Sequence, residues 1–303
     1  MQLQEGMLPQ TKPVSPAEES TFPFSPAALS WFLLLLILCY APILVRLVNQ
    51  WATDEDMGHG FFVPIVAGYI AWQKREQLRQ AQLVGSSTGY FFLAIGAALS
   101  ILGTLAAELF TTRIAFLSSI LGCVLVLGGW KAVRILLFPL FLLLFMVPIP
   151  AILYNRITFP LQLIASQVAE VVLEILGVPV LREGNVLELP SQKLSVVEAC
   201  SGIRSLLSLS FLSLVYGYFF DSRVWMRGVL FVLTGPIAIV ANACRVTLTG
   251  LLSEVNPEYA RGVYHSMSGW AVFVVAFVML FVTHKFVDLV SRTVQAPATA
   301  PHA

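Results

Sequence analysis

The chain has 303 residues, of which 57% are hydrophobic and only 12% are charged, and its formal net charge is +1. Soluble domains carry about a quarter charged residues, so this composition excludes an ordinary soluble protein and indicates a polytopic membrane protein. A nearly neutral chain also lacks the basic surface typical of nucleic-acid binding. The four cysteines form no C-x-x-C pair and have no zinc spacing, so the sequence predicts neither a metal nor another cofactor.

The predicted elements begin with a polar tail and continue as apolar stretches. Residues 1–29 are rich in Pro, Ser and Glu, which predicts a disordered tail. A spanning helix needs roughly 20 apolar residues, and the candidate spans are 30–48, 60–73, 88–107, 113–130, 132–148, 202–220, 227–249 and 269–287. The second is short and compatible with a partly re-entrant segment. Residues 30–290 are therefore predicted to form a single transmembrane domain, with a second disordered tail at 291–303.

The stretch 151–176 mixes apolar residues with polar ones at near-helical spacing, including Gln162, Gln167 and Glu170. This pattern predicts an amphipathic helix that lies at the membrane interface and does not cross it. Basic loops stay in the cytoplasm, and this assignment puts every basic cluster and both tails there. A crossing at 151–176 would instead turn the downstream clusters outwards. The clusters are Lys74, Arg75 and Arg79, then Lys131 and Arg134, then Arg223 and Arg227, then Lys285 and Arg292.

Between 177 and 199 the pattern changes to alternating apolar and polar residues around Gly and Pro, as in the run 184–190. This alternation predicts a short extracytoplasmic β-hairpin or extended segment. The predicted fold class is therefore an all-α polytopic membrane protein. It has about eight transmembrane helices, an interfacial amphipathic helix and a short extracytoplasmic β-like segment.

Three reactive side chains lie at the same predicted face of the membrane. Cys200 precedes the sixth span, Arg245 lies near the end of the seventh, and His265 precedes the eighth. A thiolate is a strong nucleophile, and its pKa falls near cations or at a helix N-terminus. An imidazole can pass a proton to a leaving amine, and a guanidinium can stabilise an oxyanion. This set is typical of acyl transfer at a peptide bond.

Each of these residues has a structural explanation when it is taken alone. A cysteine at a helix start is commonly a packing residue, and an arginine near a span end commonly extends to the headgroups. Arg245, however, is followed by further apolar sequence, and a charge within the membrane tends to be functional. Weaker candidates for substrate binding are Glu198, Arg204 and His59; the main alternative for His59 is a structural role at a helix start.

Four sequence blocks resemble the exosortase/archaeosortase family. They are Gly58-His59-Gly60-Phe61-Phe62-Val63-Pro64, Glu198-Ala199-Cys200-Ser201-Gly202-Ile203-Arg204-Ser205, Asn242-Ala243-Cys244-Arg245-Val246 and His265-Ser266-Met267-Ser268-Gly269-Trp270. One such block is weak support for a family. Four blocks in the family's order, spread over residues 58–270, are fairly specific.

The resemblance implies a cysteine protease or transpeptidase of the bacterial inner membrane, with its active site facing the periplasm and 30–290 as the catalytic domain. Cys200 would be the nucleophile, Arg245 the stabilising cation and His265 the third catalytic residue, where archaeal relatives carry Arg. The implied partners are the lipid bilayer and membrane-anchored proteins with a C-terminal sorting signal, and no nucleic acid. That signal has a Pro-Glu-Pro-type motif, a transmembrane helix and a basic tail. The Cys thioester would pass to an acceptor, in a process linked to exopolysaccharide and biofilm.

Two other functions stay open from the sequence. A non-catalytic transporter or exopolysaccharide-assembly protein would use Arg245 and Arg204 to bind an anionic lipid or sugar, and Cys200 would be replaceable. A membrane thiol-disulfide oxidoreductase would need Cys200 and Cys244 to meet in space.

Overall fold

A computed structural model of the chain describes residues 26–196, 202–256 and 262–295. These residues are almost entirely helical apart from one small sheet, so the predicted all-α polytopic class is confirmed. The predicted tails lie largely outside the described residues. The helices are α1 (Pro26–Thr53), α2 (Phe62–Gln73), α3 (Arg75–Gln80), α4 (Thr88–Leu105), α5 (Leu109–Ile135), α6 (Leu137–Leu142), α7 (Ala151–Ile175), α8 (Gly202–Phe220), α9 (Val224–Val255) and α10 (Gly262–Gln295).

Six of the described helices are long and apolar enough to cross a membrane, namely α1, α4, α5, α7, α9 and α10. Every predicted span contains a helix, but two of them are too short for a full crossing. Helix α2 has 12 residues, and Leu137–Met146 combines α6 with a 3-10 segment. At 1.5 Å per residue these measure about 18 and 15 Å, against roughly 30 Å of hydrocarbon.

The stretch 132–148, expected as one helix, is divided between the end of α5 and the short helix α6. Gly129, just before this stretch, has a φ of 63°, a left-handed conformation that bends α5. Pro139 has no N–H to donate to the carbonyl of Ile135, so α5 cannot continue past that residue. The chain therefore restarts as the short helix α6.

Small residues let α4 and α5 pack closely as a hairpin. Gly89, Gly96 and Gly103 recur every seventh residue on the buried face of α4, and a methyl group at Gly96 would overlap Ser119 of α5. Close packing of small residues drives helix association in membranes, where lipid is as apolar as a protein core. Helix α1 joins the hairpin through Tyr40, whose hydroxyl lies 2.7 Å from the Ser119 hydroxyl.

The second half of the chain is built around α9, which is half buried and packs against α7, α8 and α10. An antiparallel sheet of strands β1 (Leu181–Glu183), β2 (Val186–Glu188) and β3 (Lys193–Ser195) covers one side of α7 and α9. Leu187, in the middle strand, is fully buried in this contact. The predicted β-like segment is therefore confirmed, with three strands.

The polar residues of α7 hold this sheet. Gln162 accepts a hydrogen bond from the Asn185 amide at 3.2 Å, and Glu170 pairs with Arg182 at 2.5 Å. The Ser166 hydroxyl donates to the carbonyl of Gly184 at 3.1 Å. The amphipathic pattern of 151–176 thus has a partner inside the protein. By length and composition α7 can cross a membrane, and its interfacial position stays a prediction.

Candidate functional site

The predicted site residues differ in how far the structure describes them. Cys200 and Glu198 lie outside the described residues. Arg204 and His265 lie in the first turns of α8 and α10, and the structure describes their backbone only. Arg245 and His59 are described together with their side chains.

Arg245 lies on the buried face of α9 and is only 4% exposed. Asn242, one turn earlier on the same face, is 3% exposed, and its Nδ2 has no hydrogen-bond partner within the described ranges. Val240, Cys244 and Leu248 follow one another at four-residue spacing on the exposed side. Because a buried charge in a membrane is costly and tends to be functional, this polar pair is the strongest site signal in α9.

The contacts between α8 and α9 fix the height of Arg245 along the axis of the helix bundle, which is called its level below. The Ser210 and Thr234 hydroxyls lie 3.2 Å apart, and Arg227 Nε donates to the Gly217 carbonyl at 3.2 Å. The helices run antiparallel, so this register puts Gly202, where α8 begins, opposite Asn242. Arg245 is three residues further along α9, which is about 4.5 Å.

The contacts between α8 and α10 bring a third helix end to the same level. The Tyr216 hydroxyl lies 2.8 Å from Nδ1 of His284, and the Tyr216 ring lies 6.3 and 6.4 Å from the rings of Phe277 and Phe281. These two helices run in the same direction. When α8 and α10 are traced from Tyr216 towards their N-termini, the first turns of α10 lie at the level of Gly202. The first residues of α8 and α10 therefore lie at about the same level as Arg245 in α9.

His59 connects the 3-10 segment Glu55–Phe61 to α8. Its Nε2 lies 3.2 Å from the Phe145 carbonyl oxygen, and its Nδ1 lies 3.3 Å from the Ser208 hydroxyl. Ser208 stands one turn after Arg204 on the same face of α8. Both nitrogens of the His59 ring thus have partners inside the protein, which favours the structural role over substrate binding.

The sheet anchors the chain that leads towards Cys200. The Val196 N–H donates to the Asn185 carbonyl at 2.9 Å, and the Ser191 N–H donates to Glu254 Oε1 at 3.1 Å. An ion pair between Lys193 and Glu188 joins β3 to β2. These contacts tie the last described residues before 197 to the end of α9 that carries Arg245.

A buried polar network that was not predicted from the sequence lies at the opposite end of the bundle. Asp221 accepts hydrogen bonds from Arg223, and His284 Nε2 lies 3.1 Å from Asp221 Oδ2. Arg223 also pairs with Asp288 at 2.6 Å. His284 and Asp288 lie one turn apart in a membrane helix, and this spacing is the sequence pattern that could have indicated the network. Across the described residues, no group of three potential metal ligands forms.

A family model described as transmembrane exosortase (Exosortase_EpsH) matches residues 51–282, which is more than half of the chain. The matched range contains all six predicted site residues, Cys200, Arg245, His265, His59, Arg204 and Glu198. Comparisons with curated proteins and with solved structures found no match.

Proposed function

This chain belongs to the transmembrane exosortase family and is therefore a membrane-embedded sorting transpeptidase, and we propose that it acts through a cysteine thioester. Its substrates are exported proteins with a C-terminal sorting signal, made of a Pro-Glu-Pro-type motif, a transmembrane helix and a basic tail. The enzyme cuts at the motif and transfers the protein to an acceptor. The cell process that it serves is the production of exopolysaccharide and biofilm.

The proposed reaction gives each of three residues one task. Cys200 Sγ attacks the scissile carbonyl carbon, and Arg245 stabilises the oxyanion that forms. The C–N bond then breaks as His265 gives a proton to the leaving amine. The thioester is opened by an acceptor amine or water, whose proton returns to His265 while Cys200 leaves as the thiolate.

The position of Arg245 is the observation that carries this proposal. Its guanidinium is buried beside the level where α8 begins. Cys200 stands two positions before Gly202 in the sequence, a chain length of at most about 7 Å. A cation near a cysteine favours the thiolate, which supports the proposal of Cys200 as the nucleophile.

The proposed location is the bacterial inner membrane, with the site facing the periplasm. A substrate held by its own helix diffuses in the plane of the bilayer and presents its motif at the outer edge. Its basic tail then stays in the cytoplasm, in agreement with the positive-inside rule. The site is therefore open to lipid on one side.

The decisive experiment compares two serine substitutions in cells that express a tagged substrate with a Pro-Glu-Pro-type signal. We expect Cys200→Ser to abolish processing and Cys244→Ser to leave it within about twofold, because Cys244 lies on the exposed side of α9. Processing by Cys200→Ser would overturn the nucleophile and favour a non-catalytic transporter or assembly protein. Loss of processing in both variants would instead favour thiol-disulfide exchange.

The orientation has a separate test in a cysteine-free background. Ser191→Cys places a thiol in the exposed loop between β2 and β3, and Ser222→Cys places one at the opposite end of the bundle. A membrane-impermeant thiol reagent added outside intact spheroplasts is expected to label the first and not the second. The reverse pattern would overturn the proposed orientation.

A further inference from the structure

A cavity of about 80 Å³ lies between α1, α4 and α5, away from the site described above. A single buried water needs roughly 10–15 Å³ of such space, so the cavity has room for a group larger than one water. It lies near the ends of these helices, because Arg46 is two turns from the end of α1 and Arg113 is one turn from the start of α5. These offsets are about 10 and 6 Å. The residues that matter for its chemistry are Arg46, Arg113, Glu108 and Ala107.

Two guanidinium groups, of Arg46 and Arg113, line the cavity, and Arg113 interacts electrostatically with Glu108. Arg113 is 4% exposed, and its Nη2 donates to the Gln50 amide oxygen at 2.5 Å. Arg46 is exposed and forms neither a hydrogen bond nor an ion pair with a described residue. A buried arginine in a membrane helix is costly and ordinarily has an anionic partner. Glu108 is the one carboxylate among the residues that line the cavity, so the lining carries two positive charges against one negative charge.

Glu108 balances only one of the two positive charges, and its oxygens also cap α5. Its two oxygens accept the backbone N–H groups of Phe110 and Thr111 at 2.9 and 2.5 Å and cap the helix. Hydrogen bonding from Thr111 also lowers the pKa of the Glu108 carboxyl, so the carboxylate stays ionised. The lining then carries two positive charges and one negative charge, and the oxygens of that carboxylate are already bonded to the backbone of α5.

The backbone at the cavity rim is strained. Ala107 has a φ of 53° and occupies the position after α4 where the Glu108 and Ala107 N–H groups return to the Gly103 and Thr104 carbonyls. Glycine is the usual residue at this position, because a side chain there is disfavoured. This cap places Ala107 and Glu108 at the rim of the cavity.

We propose that this cavity binds a phosphate group at the membrane interface. The planar guanidinium group of arginine matches the arrangement of the oxygens of a phosphate. Glu108 balances one of the two positive charges in the cavity, and a bound phosphate balances the other. The neighbouring surface of α1 is exposed, with Val45 at 60% and Val48 at 43%, so a lipid headgroup reaches the cavity sideways while its chains lie along α1. The same chemistry would accept free phosphate from solution, and the two sources are separated by experiment.

The test uses the purified full-length chain and the variants Arg46→Gln, Arg113→Gln and Arg134→Gln. Arg134 is the matched control, since it is an exposed arginine at the other end of α5. Native mass spectrometry measures the fraction of protein that retains phosphatidylglycerol from mixed detergent micelles. Thermal unfolding with and without inorganic phosphate measures binding of the free anion.

We expect the first two variants to retain phosphatidylglycerol about tenfold less than the original chain, since one charged hydrogen bond is lost, and the control to match it. Lipid retention without a phosphate-induced Tm rise identifies a lipid headgroup. A phosphate-induced Tm rise that Arg46→Gln abolishes, without lipid retention, identifies free phosphate. Arg46 is exposed, so its variant stays informative even where Arg113→Gln fails to fold. If Arg46→Gln matches the original chain with both ligands, the proposal is wrong.

Discussion

The Ser210 and Thr234 hydroxyls lie 3.2 Å apart in the buried contact between α8 and α9. This contact sets the register of the two helices, because a shift by one residue would separate the pair by about 1.5 Å along the axis. The register in turn places Arg245 next to the start of α8. This pair of hydroxyls, together with the contact of Arg227 with the Gly217 carbonyl, therefore helps to set the geometry at the end of the bundle where we propose catalysis.

We expect Arg245 to be needed for rapid processing of the substrate, whereas a cation on the surface is not. Removal of one oxyanion-stabilising group costs about 10²–10³ in kcat, so Arg245→Gln should slow processing by that factor. Arg245→Lys keeps the charge but loses the planar fork, and we expect an intermediate rate. Single-turnover cleavage of a tagged substrate in proteoliposomes measures both.

Arg227 provides the control for this prediction. It lies on the same helix, but its guanidinium donates to the backbone carbonyls of Gly217 and Asp221 at the opposite end. Arg227→Gln should lower the thermal stability and slow cleavage by the folded protein far less than Arg245→Gln does, because Arg227 lies far from the proposed site. Equal rates for the original chain and Arg245→Gln would refute the oxyanion role.

The sequence predicted the helices well because hydrophobic runs in membranes are long and their signal is strong. It also singled out Arg245, since a charge followed by apolar residues is unusual. The site as a whole stays a prediction, because Cys200 lies outside the described residues. The level of Arg245 depends on side-chain contacts such as Ser210 with Thr234, which no periodicity reveals.

The partners of the polar residues of α7 and of His284 could not be predicted from sequence patterns for a different reason. The polar stripe of α7 has the same spacing whether it faces water or a protein partner, and here Gln162 and Glu170 face the sheet. The sequence does not show which residues His284 contacts. Its partners Tyr216 and Asp221 come from another part of the chain, so only the packed bundle shows the network.

His59 is expected to act through the position of α8. Both His59→Ala and Ser208→Ala remove the contact at Nδ1, and each should lower the free energy of unfolding by about 1 kcal/mol. The double variant should cost less than the sum of the two, since the residues share one interaction. A thermal unfolding series of the four proteins in detergent measures this coupling. A raised KM at unchanged stability for His59→Ala would instead assign the residue to substrate binding.

Gly129 is expected to tolerate no side chain. Its φ of 63° is unfavourable for other residues, and an added methyl group would overlap the carbonyl oxygen of Val84. Gly129→Ala should therefore destabilise the protein by about 1–3 kcal/mol. Gly68→Ala is the matched control, because Gly68 lies in α2 with open space around it. That variant should be neutral or more stable by about 0.5–1 kcal/mol, and equal Tm values for the two variants would contradict the strain at Gly129.

Asp221 is expected to make stability depend on acid pH. Hydrogen bonds from the Arg223 side chain hold the pKa of the Asp221 carboxyl far below its usual range. Its contribution is therefore complete above the pKa of the unfolded chain, near 4. Below that pH the unfolded chain takes up a proton that the folded protein refuses, so stability falls by up to about 1.4 kcal/mol per pH unit.

The substitution Asp221→Asn separates this residue from the other carboxylates. It removes the charge that Arg223 and His284 contact, so we expect a loss of about 1.5–3 kcal/mol at pH 7. Between pH 4 and pH 3 its Tm should fall less steeply than that of the original chain. Glu76→Gln, in the exposed pair with Arg79, is the control and should change stability by less than about 1 kcal/mol. Parallel acid slopes for the original chain and Asp221→Asn would show that the network does not bind the ionised carboxylate preferentially.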